Sequence, residues 1–207
     1  MNTNIIGLSG VAGSGKDLFF EIMLKKIPNL KKLSLASALK SELREELLRD
    51  YGVDINDCTR EEKNKVRQRL VDYATEKREE TGGRHWIEKL NDLTQKTKEP
   101  ICVTDIRYDD YEFDEVHWLK RELGGVLVHI QRFDFLNNNK KFIEGANEEE
   151  RRNDPKLKAK ADYSLEWPSF DSYAEEQATG HVESFLAWVN YYNEAFKRQP
   201  ADMEGKG

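Results

Sequence analysis

The chain has 207 residues, a formal net charge of −6 and two cysteines, Cys58 and Cys102. This length predicts one domain, or one core with insertions, that is large enough to bury a sizeable hydrophobic core. The acidic balance argues against a protein that binds nucleic acid or a membrane surface non-specifically, so any anion site must be local. The sequence predicts no membrane span, and it predicts a strand at the N-terminus, where a signal segment would lie. Both cysteines are predicted to be reduced, so we expect a cytoplasmic protein.

The start of the chain has a pattern typical of a phosphate-binding loop. Residues 5–9 are mostly apolar, Gly10 is followed after four residues by Gly15 and Lys16, and an amphipathic helix comes next. At this spacing, backbone N–H groups converge on phosphates and the lysine reaches the β- and γ-phosphates of a nucleotide. The predicted nucleotide-binding segment is continuous and comprises Gly10, Val11, Ala12, Gly13, Ser14, Gly15, Lys16, Asp17 and Leu18.

Asp17 and Leu18 follow the loop lysine, where a Ser or Thr hydroxyl normally binds Mg²⁺. Two interpretations of Asp17 remain open. Its carboxylate holds the metal through a water molecule, or it is an acidic residue that the helix dipole favours in a first turn.

A short strand and three helices are predicted next. Residues 32–36 predict the strand, and Ser37 is the predicted N-cap of the first helix. Thr59 and Glu62 fit a capping box at the start of a second, highly charged helix. Two glycines end that helix, and Arg84 is predicted to begin the third.

A carboxylate ends the next apolar run, residues 100–105. In a parallel sheet this places Asp105 at the carboxyl edge, where α/β proteins bind ligands, with Arg107 two residues on. Asp105 either holds Mg²⁺ through water or orients an arginine that binds the acceptor, and a structural role is the alternative. A helix over residues 111–123 and a strand over residues 126–130 follow.

Hydrophobic periodicity fails over residues 133–160, which predicts a mobile insertion. Residues 161–167 predict a fifth strand, residues 173–196 a closing helix, and residues 199–207 a disordered tail. This order of elements predicts an α/β fold with a parallel five-stranded sheet between two helical layers.

The chain resembles the P-loop nucleoside monophosphate kinases, and more narrowly those of bacteriophages that act on deoxynucleotides. The resemblance extends over nearly the whole chain and depends on residues 8–17, 35–40, 84–87, 105–107 and 123–132. Asp17 is shared with the phage group, whereas Leu18 departs from it because a Thr commonly follows there.

This resemblance implies one P-loop NTPase kinase domain, residues 1–207, that uses ATP and Mg²⁺ and binds small nucleotides. The implied core comprises residues 1–36, 98–132 and 161–198. An acceptor-binding helical insert is implied for residues 37–97, a lid for residues 133–160 and a tail for residues 199–207. The oligomeric state stays open, with a homodimer as one option.

Phosphoryl transfer needs positive charge around the oxygens of the transferred group, so arginines near the loop are candidate catalysts. The implied catalytic residues are Lys16, Asp105, Arg107 and Arg151. Arg132 is implied to contact the adenine or the donor phosphates, and the acceptor is implied to bind Lys40, Arg44, Arg84, Trp86, Arg107 and Arg152. The candidate metal ligands, both through water, are Asp17 and Asp105. For each arginine the alternative is a surface role in a charged protein.

The implied reaction is transfer of the γ-phosphoryl group of ATP to a nucleoside monophosphate, with deoxynucleotides favoured by the phage resemblance. Two alternatives remain: a kinase for dephospho-coenzyme A or phosphomevalonate, and a non-catalytic nucleotide-binding module. A guanine-nucleotide switch is disfavoured because residues 139–142 lack the acid of an Asn-Lys-x-Asp base reader.

Overall fold

The computed structural model describes residues 4–170 and 173–197, and the predicted tail, residues 199–207, lies outside them. The strands are β1 (Ile5–Ser9), β2 (Lys31–Leu33), β3 (Ile101–Val103), β4 (Val126–Leu136), β5 (Asn139–Phe142) and β6 (Tyr163–Pro168). The helices are α1 (Lys16–Lys26), α2 (Leu35–Tyr51), α3 (Arg60–Thr81), α4 (His85–Lys96), α5 (Glu115–His117) with a π-helical continuation (Trp118–Glu122), α6 (Glu148–Lys160) and α7 (Ala174–Lys197). Within these described residues, no helix is both long enough and apolar enough to cross a membrane.

Five strands of the sheet are parallel, as expected, and the structure gives their order as β2-β3-β1-β4-β6. It is nevertheless a mixed, six-stranded sheet, because β5 pairs antiparallel with the end of β4. The prediction of a purely parallel five-stranded sheet is therefore only partly correct. The hairpin was missed because the strand was predicted to end at residue 130, whereas β4 continues to Leu136. The tight turn that follows it depends on positive φ angles of 50° at Asn137 and 63° at Asn138.

Two hydrophobic clusters lie on opposite faces of the sheet, so the three-layer arrangement is correct. On one face, side chains of α1 and α7 such as Phe19 and Phe185 pack on alternate residues of β1 and β4. On the other face, α4, the π-helical continuation of α5, and α6 contribute side chains such as Ile87, Trp118 and Leu157. The predicted helix over residues 111–123 is shorter than expected and becomes a π-helix after its first turn.

Residues 37–97 contain most of α2 and all of α3 and α4, and α2 and α3 share a hydrophobic cluster of their own. Their role as an acceptor-binding insert stays a prediction. Thr59 and Glu62 form the predicted capping box at the start of α3. Ser37 is not the N-cap of α2, because this helix begins at Leu35 and Ser34 precedes it. The sequence around Ser37 does not show where α2 begins, because the carboxylate that accepts from the first N–H groups of α2 belongs to Asp105, about 70 residues away.

The segment 133–160 has regular structure, contrary to expectation: it contains the end of β4, then β5 and α6. Only Asn153 and Leu157 of α6 are buried, which explains why the sequence lacks a helical apolar stripe. Ion pairs hold the helix against the loop after β3, since Asp110 lies 3.0 Å from Arg152 and 2.7 Å from Lys156.

Candidate phosphate-binding site

The loop between β1 and α1 has the backbone of a phosphate cradle. Gly10, Gly13 and Gly15 have φ angles of +130°, +81° and +100°, which glycine adopts without strain. A Cβ on Gly10 would lie 2.2 Å from the carbonyl oxygen of Ile130, and a Cβ on Gly15 would lie 2.5 Å from the ring of Trp167. Both the backbone conformation and the packing beneath the loop therefore require glycine.

Trp167, at the end of β6, anchors the loop from below. Its Nε1 donates a hydrogen bond to the carbonyl oxygen of Ser14 (2.8 Å), and its ring is fully buried beside Phe19. The hydroxyl of Ser14 is also buried and has no hydrogen-bond partner among the described residues. Sequence reasoning missed Trp167, because only the fold brings β6 beneath a loop about 150 residues away in sequence.

Lys16 folds back over the loop. Its Nζ donates to the carbonyl oxygens of Gly10 (2.6 Å) and Val11 (2.9 Å). The pKa of Lys16 is lowered to about 8, mainly by burial and next by the positive charge of Arg107, while Glu150 and two aspartates act in the opposite direction. An ammonium group that already lacks full solvation gains from a phosphate nearby, so this lysine is suited to bind one.

Asp105 lies just beyond the end of β3 and is buried. Its carboxylate accepts hydrogen bonds from Ser34 Oγ (2.8 Å) and from the backbone N–H groups of Leu35 (2.9 Å) and Ala36 (2.8 Å). These bonds cap α2 and tie the helical insert to the sheet. The expected role of Asp105 as a metal ligand through water stays a prediction.

A second buried carboxylate, Glu115, holds the backbone of the loop after β3. Its Oε2 accepts hydrogen bonds from the N–H groups of Arg107 (2.6 Å) and Tyr108 (3.1 Å). Burial raises the pKa of Glu115 to about 8, against the opposing effect of the Arg78 guanidinium. Glu115 thereby fixes the backbone from which the half-exposed guanidinium of Arg107 extends.

A cavity of about 90 Å³ lies between the helical insert and this loop. Its walls are apolar where α2, α3 and α4 contribute Leu35, Ala36, Leu39, Ala74 and Trp86. They are polar on the other side, where the lining residues are Arg78, Asp105, Arg107, Tyr108 and Glu115. Trp86 and Arg107 are the two predicted acceptor-binding residues that the structure brings together here.

Arg78 is the buried cation of this cavity, and sequence reasoning did not single it out. It donates two hydrogen bonds to Asp114 (3.0 and 2.8 Å), and its guanidinium lies 3.6 Å from the centre of the Tyr108 ring. Nothing in the sequence distinguishes it from its neighbours, because it belongs to a run of charged residues on α3.

Five predicted site residues lie away from the cavity or bind other groups. Arg84 donates to Glu122 (2.5 and 3.1 Å), and Arg44 donates to Asp54 (2.9 and 2.6 Å). Arg151 donates a hydrogen bond to the carbonyl oxygen of Gly145 (3.0 Å), and Arg152 donates one to Asp110 (3.0 Å). The exposed Asp17 accepts one from Lys32 (3.3 Å). The predicted roles of these residues stay predictions, and for the four arginines they require the side chains to exchange partners.

Arg132 and Lys40 lie closer to the site. An Nη atom of Arg132 is 3.9 Å from the position of a Cβ on Gly13, so its guanidinium lies beside the loop. Its Nε is buried and has no hydrogen-bond partner among the described residues. Lys40 is half-buried on α2, next to Leu39 of the cavity.

The described residues contain no group of three or more His, Cys, Asp or Glu side chains suited to hold a metal ion. Mg²⁺ in phosphoryl-transfer sites is usually bound by one or two carboxylates, by water and by substrate phosphates. The residues near the loop fit that mode, with Asp17 and Asp105 as the nearby carboxylates.

No protein-family model matches the chain, and no curated protein matches it. Among solved structures, a dephospho-CoA kinase from Campylobacter jejuni matches over 92% of this chain and 99% of its own, with 14% identity and a TM-score of 0.49. The protein TT1252 from Thermus thermophilus matches over 90% and 99%, with 17% identity and a TM-score of 0.39. At these values neither structure bears on what this chain binds, and the fold and loop themselves define an α/β protein with a P-loop.

Proposed function

We propose that the chain is a kinase that transfers the γ-phosphoryl group of ATP to a small phosphorylated acceptor, with a deoxynucleoside monophosphate as the favoured acceptor. One observation carries this proposal: Arg107 lines the cavity and also lowers the pKa of Lys16 on the phosphate loop. The positive charge of Arg107 therefore lies between the phosphate cradle and the cavity, as transfer between two phosphates requires.

Each of the site's residues has a definite task in this reaction. Backbone N–H groups of the loop and Lys16 bind the donor phosphates, and Arg132 lies on the donor side. Arg107 binds the transferred group or the acceptor phosphate. An oxygen of the acceptor phosphate attacks the γ-phosphorus, and the bond between the γ-phosphorus and the β-phosphate oxygen breaks. The protein supplies position and positive charge, since phosphoryl transfer needs little else from it.

Mg²⁺ would be held by the phosphates together with Asp17 and Asp105 through water, and when bound it would neutralise charge on the phosphate oxygens. Asp17 is exposed and close to the loop, so it can reach such a water without rearrangement of the helix.

The cavity supports a nucleotide acceptor by its chemistry. Trp86 and the aliphatic side chains of α2 offer a flat apolar surface to a base, while Arg107 offers a charge to a phosphate. The preference for deoxyribose comes from the resemblance to the phage enzymes. In this proposal the partners of the protein are small nucleotides.

An assay of diphosphate formation over all deoxynucleoside and ribonucleoside monophosphates tests the proposal. Dephospho-coenzyme A and phosphomevalonate serve as controls for the alternative acceptors. We expect at least one deoxynucleotide to exceed every ribonucleotide in kcat/KM. Activity on a control alone would refute the nucleotide acceptor, and ATP binding without transfer to any acceptor would indicate a binding module.

A further inference from the structure

A carboxylate from α6 reaches into the phosphate cradle. Glu150 Oε2 accepts a hydrogen bond from the backbone N–H of Ala12 in the loop (3.4 Å), and Oε1 lies 3.9 Å from Nη1 of Arg107. The side chain of Glu150 is only 15% exposed. A negative group thus lies among the N–H and cationic groups that the proposed function assigns to phosphate.

The beginning of α6 holds Glu150 in this position. Asn147 is the N-cap, and its Oδ1 accepts from the N–H of Glu150 (2.8 Å). Arg151 donates to the carbonyl of Gly145 (3.0 Å), which fixes the turn before the helix. Glu150 Oε2 also accepts a hydrogen bond from the N–H of Ala146 (2.9 Å), which directs the side chain toward the N-terminal side of α6 and the glycine loop.

The charge of Glu150 acts on the same groups as a phosphate would. It raises the pKa of Lys16, against burial and Arg107, which both lower it. A phosphate in the cradle and the Glu150 carboxylate would repel each other and would compete for Arg107 and for the N–H of Ala12. The two anions therefore exclude each other from the cradle.

We propose that Glu150 is a carboxylate latch that occupies the phosphate cradle of the free protein and that the phosphates of a nucleotide displace it. This inference rests on the proposed function, because it assigns a regulatory contact to the same site. Displacement frees the first turn of α6, and Arg151 and Arg152 with it. The latch also lowers the apparent affinity for nucleotide, since part of the binding free energy is used to open it.

A purely structural role for Glu150 makes a different prediction. As a helix-capping residue, Glu150 needs only an acceptor oxygen for the N–H of Ala146, and a glutamine side chain supplies one. Glu150→Gln therefore keeps the cap and removes the charge. Glu148→Gln is the matched control, because Glu148 is in the same helical turn, is exposed and has no ion pair among the described residues.

Titration calorimetry with ATP, ADP and inorganic pyrophosphate measures the first consequence. We expect Glu150→Gln to lower the Kd for ATP and pyrophosphate by roughly three- to tenfold, the range for loss of a weak charge-assisted contact. Glu148→Gln should stay within about twofold of the wild type. An unchanged or increased Kd for Glu150→Gln overturns the latch.

Hydrogen exchange measures the second consequence without any nucleotide. In the free protein, exchange over residues 144–151 should be faster in Glu150→Gln than in the wild type and in Glu148→Gln. Equal exchange rates overturn the latch. If both measurements give the expected result but no acceptor is phosphorylated, the kinase proposal fails and the latch stands. If neither ATP nor pyrophosphate binds to the wild type, Glu150→Gln or Glu148→Gln, both the kinase proposal and the latch are overturned.

Discussion

The two sides of the phosphate site are held by different kinds of contact. The glycine loop lies on the hydrophobic core, where Trp167 and the backbone of β4 leave no room for a side chain at Gly15 or Gly10. The α6 side is held mainly by ion pairs at the surface, centred on Asp110. Exposed ion pairs are worth about 0–1 kcal/mol each, whereas packing against a core is worth several times more. The difference indicates a rigid cradle beside a helix that a ligand can displace.

The largest effect is expected where a buried ion pair is broken. Arg78→Leu leaves the carboxylate of Asp114 buried without its cation, so the free energy of unfolding should fall by about 3–5 kcal/mol. Arg84→Leu, which breaks a partly exposed pair with Glu122, should cost about 0–1 kcal/mol. Urea unfolding of both variants measures the contrast, and equal losses would mean that burial does not decide the strength of these pairs.

The next effect concerns activity on the loop side. Lys16→Met removes the ammonium group that is expected to follow the transferred phosphoryl group, so kcat should fall by roughly 10²- to 10³-fold while the fold is retained. Lys25→Met is the control, because Lys25 is on the same helix and forms a surface ion pair with Glu175, away from the loop. Steady-state kinetics with ATP provide the measurement, and a Lys16→Met variant with most of its kcat would exclude the proposed role of the loop.

A smaller effect tests the packing beneath the cradle. Gly15→Ala places a methyl group in contact with Trp167 and forces alanine to a φ of +100°, so it should reduce the free energy of unfolding by about 1–3 kcal/mol. Gly180→Ala, in α7 with open space around it, should increase stability by about 0.5–1 kcal/mol. Midpoints of denaturant unfolding give both values, and a neutral Gly15→Ala would show that the loop is not held as tightly as its contacts indicate.

The smallest effect is expected on the α6 side. Asp110→Asn weakens the pairs with Arg152 and Lys156, so the free energy of unfolding should change by about 1 kcal/mol or less. Hydrogen exchange over α6 should nevertheless become faster, because local opening needs less free energy than global unfolding. Asp134→Asn is the control, since Asp134 is exposed and has no ion pair among the described residues. Unchanged exchange in Asp110→Asn would indicate that other contacts hold the helix, such as the buried Leu157 and the ion pair of Lys160 with Asp109.

The contrast between the two sides also explains which parts of the structure the sequence predicted. The glycine spacing and the capping box of Thr59 and Glu62 are local patterns, and both features are present where they were expected. The start of α2 and the course of β4 were wrong, because Asp105 caps the helix from another strand and the turn at Asn137 extends the hairpin. The contact of Asp105 with α2 joins residues 70 apart in sequence, which periodicity does not record. The hairpin is local, and it was missed because the positive φ angles of Asn137 and Asn138 were not recognised as a tight turn.

The sequence by itself determined the glycine spacing of the loop and the alternation of parallel strands with helices along the chain, because both depend on residue types at short spacing. Only the tertiary structure decided what surrounds the loop. Trp167 beneath it, Arg78 in the cavity and Glu150 in the cradle come from three separate elements. Asn147 and Glu150 do carry the spacing of a capping box, but that pattern predicts a helix start and gives no sign of a contact with Ala12. The physical reason is that burial and the convergence of charges arise from packing, after the local elements have formed.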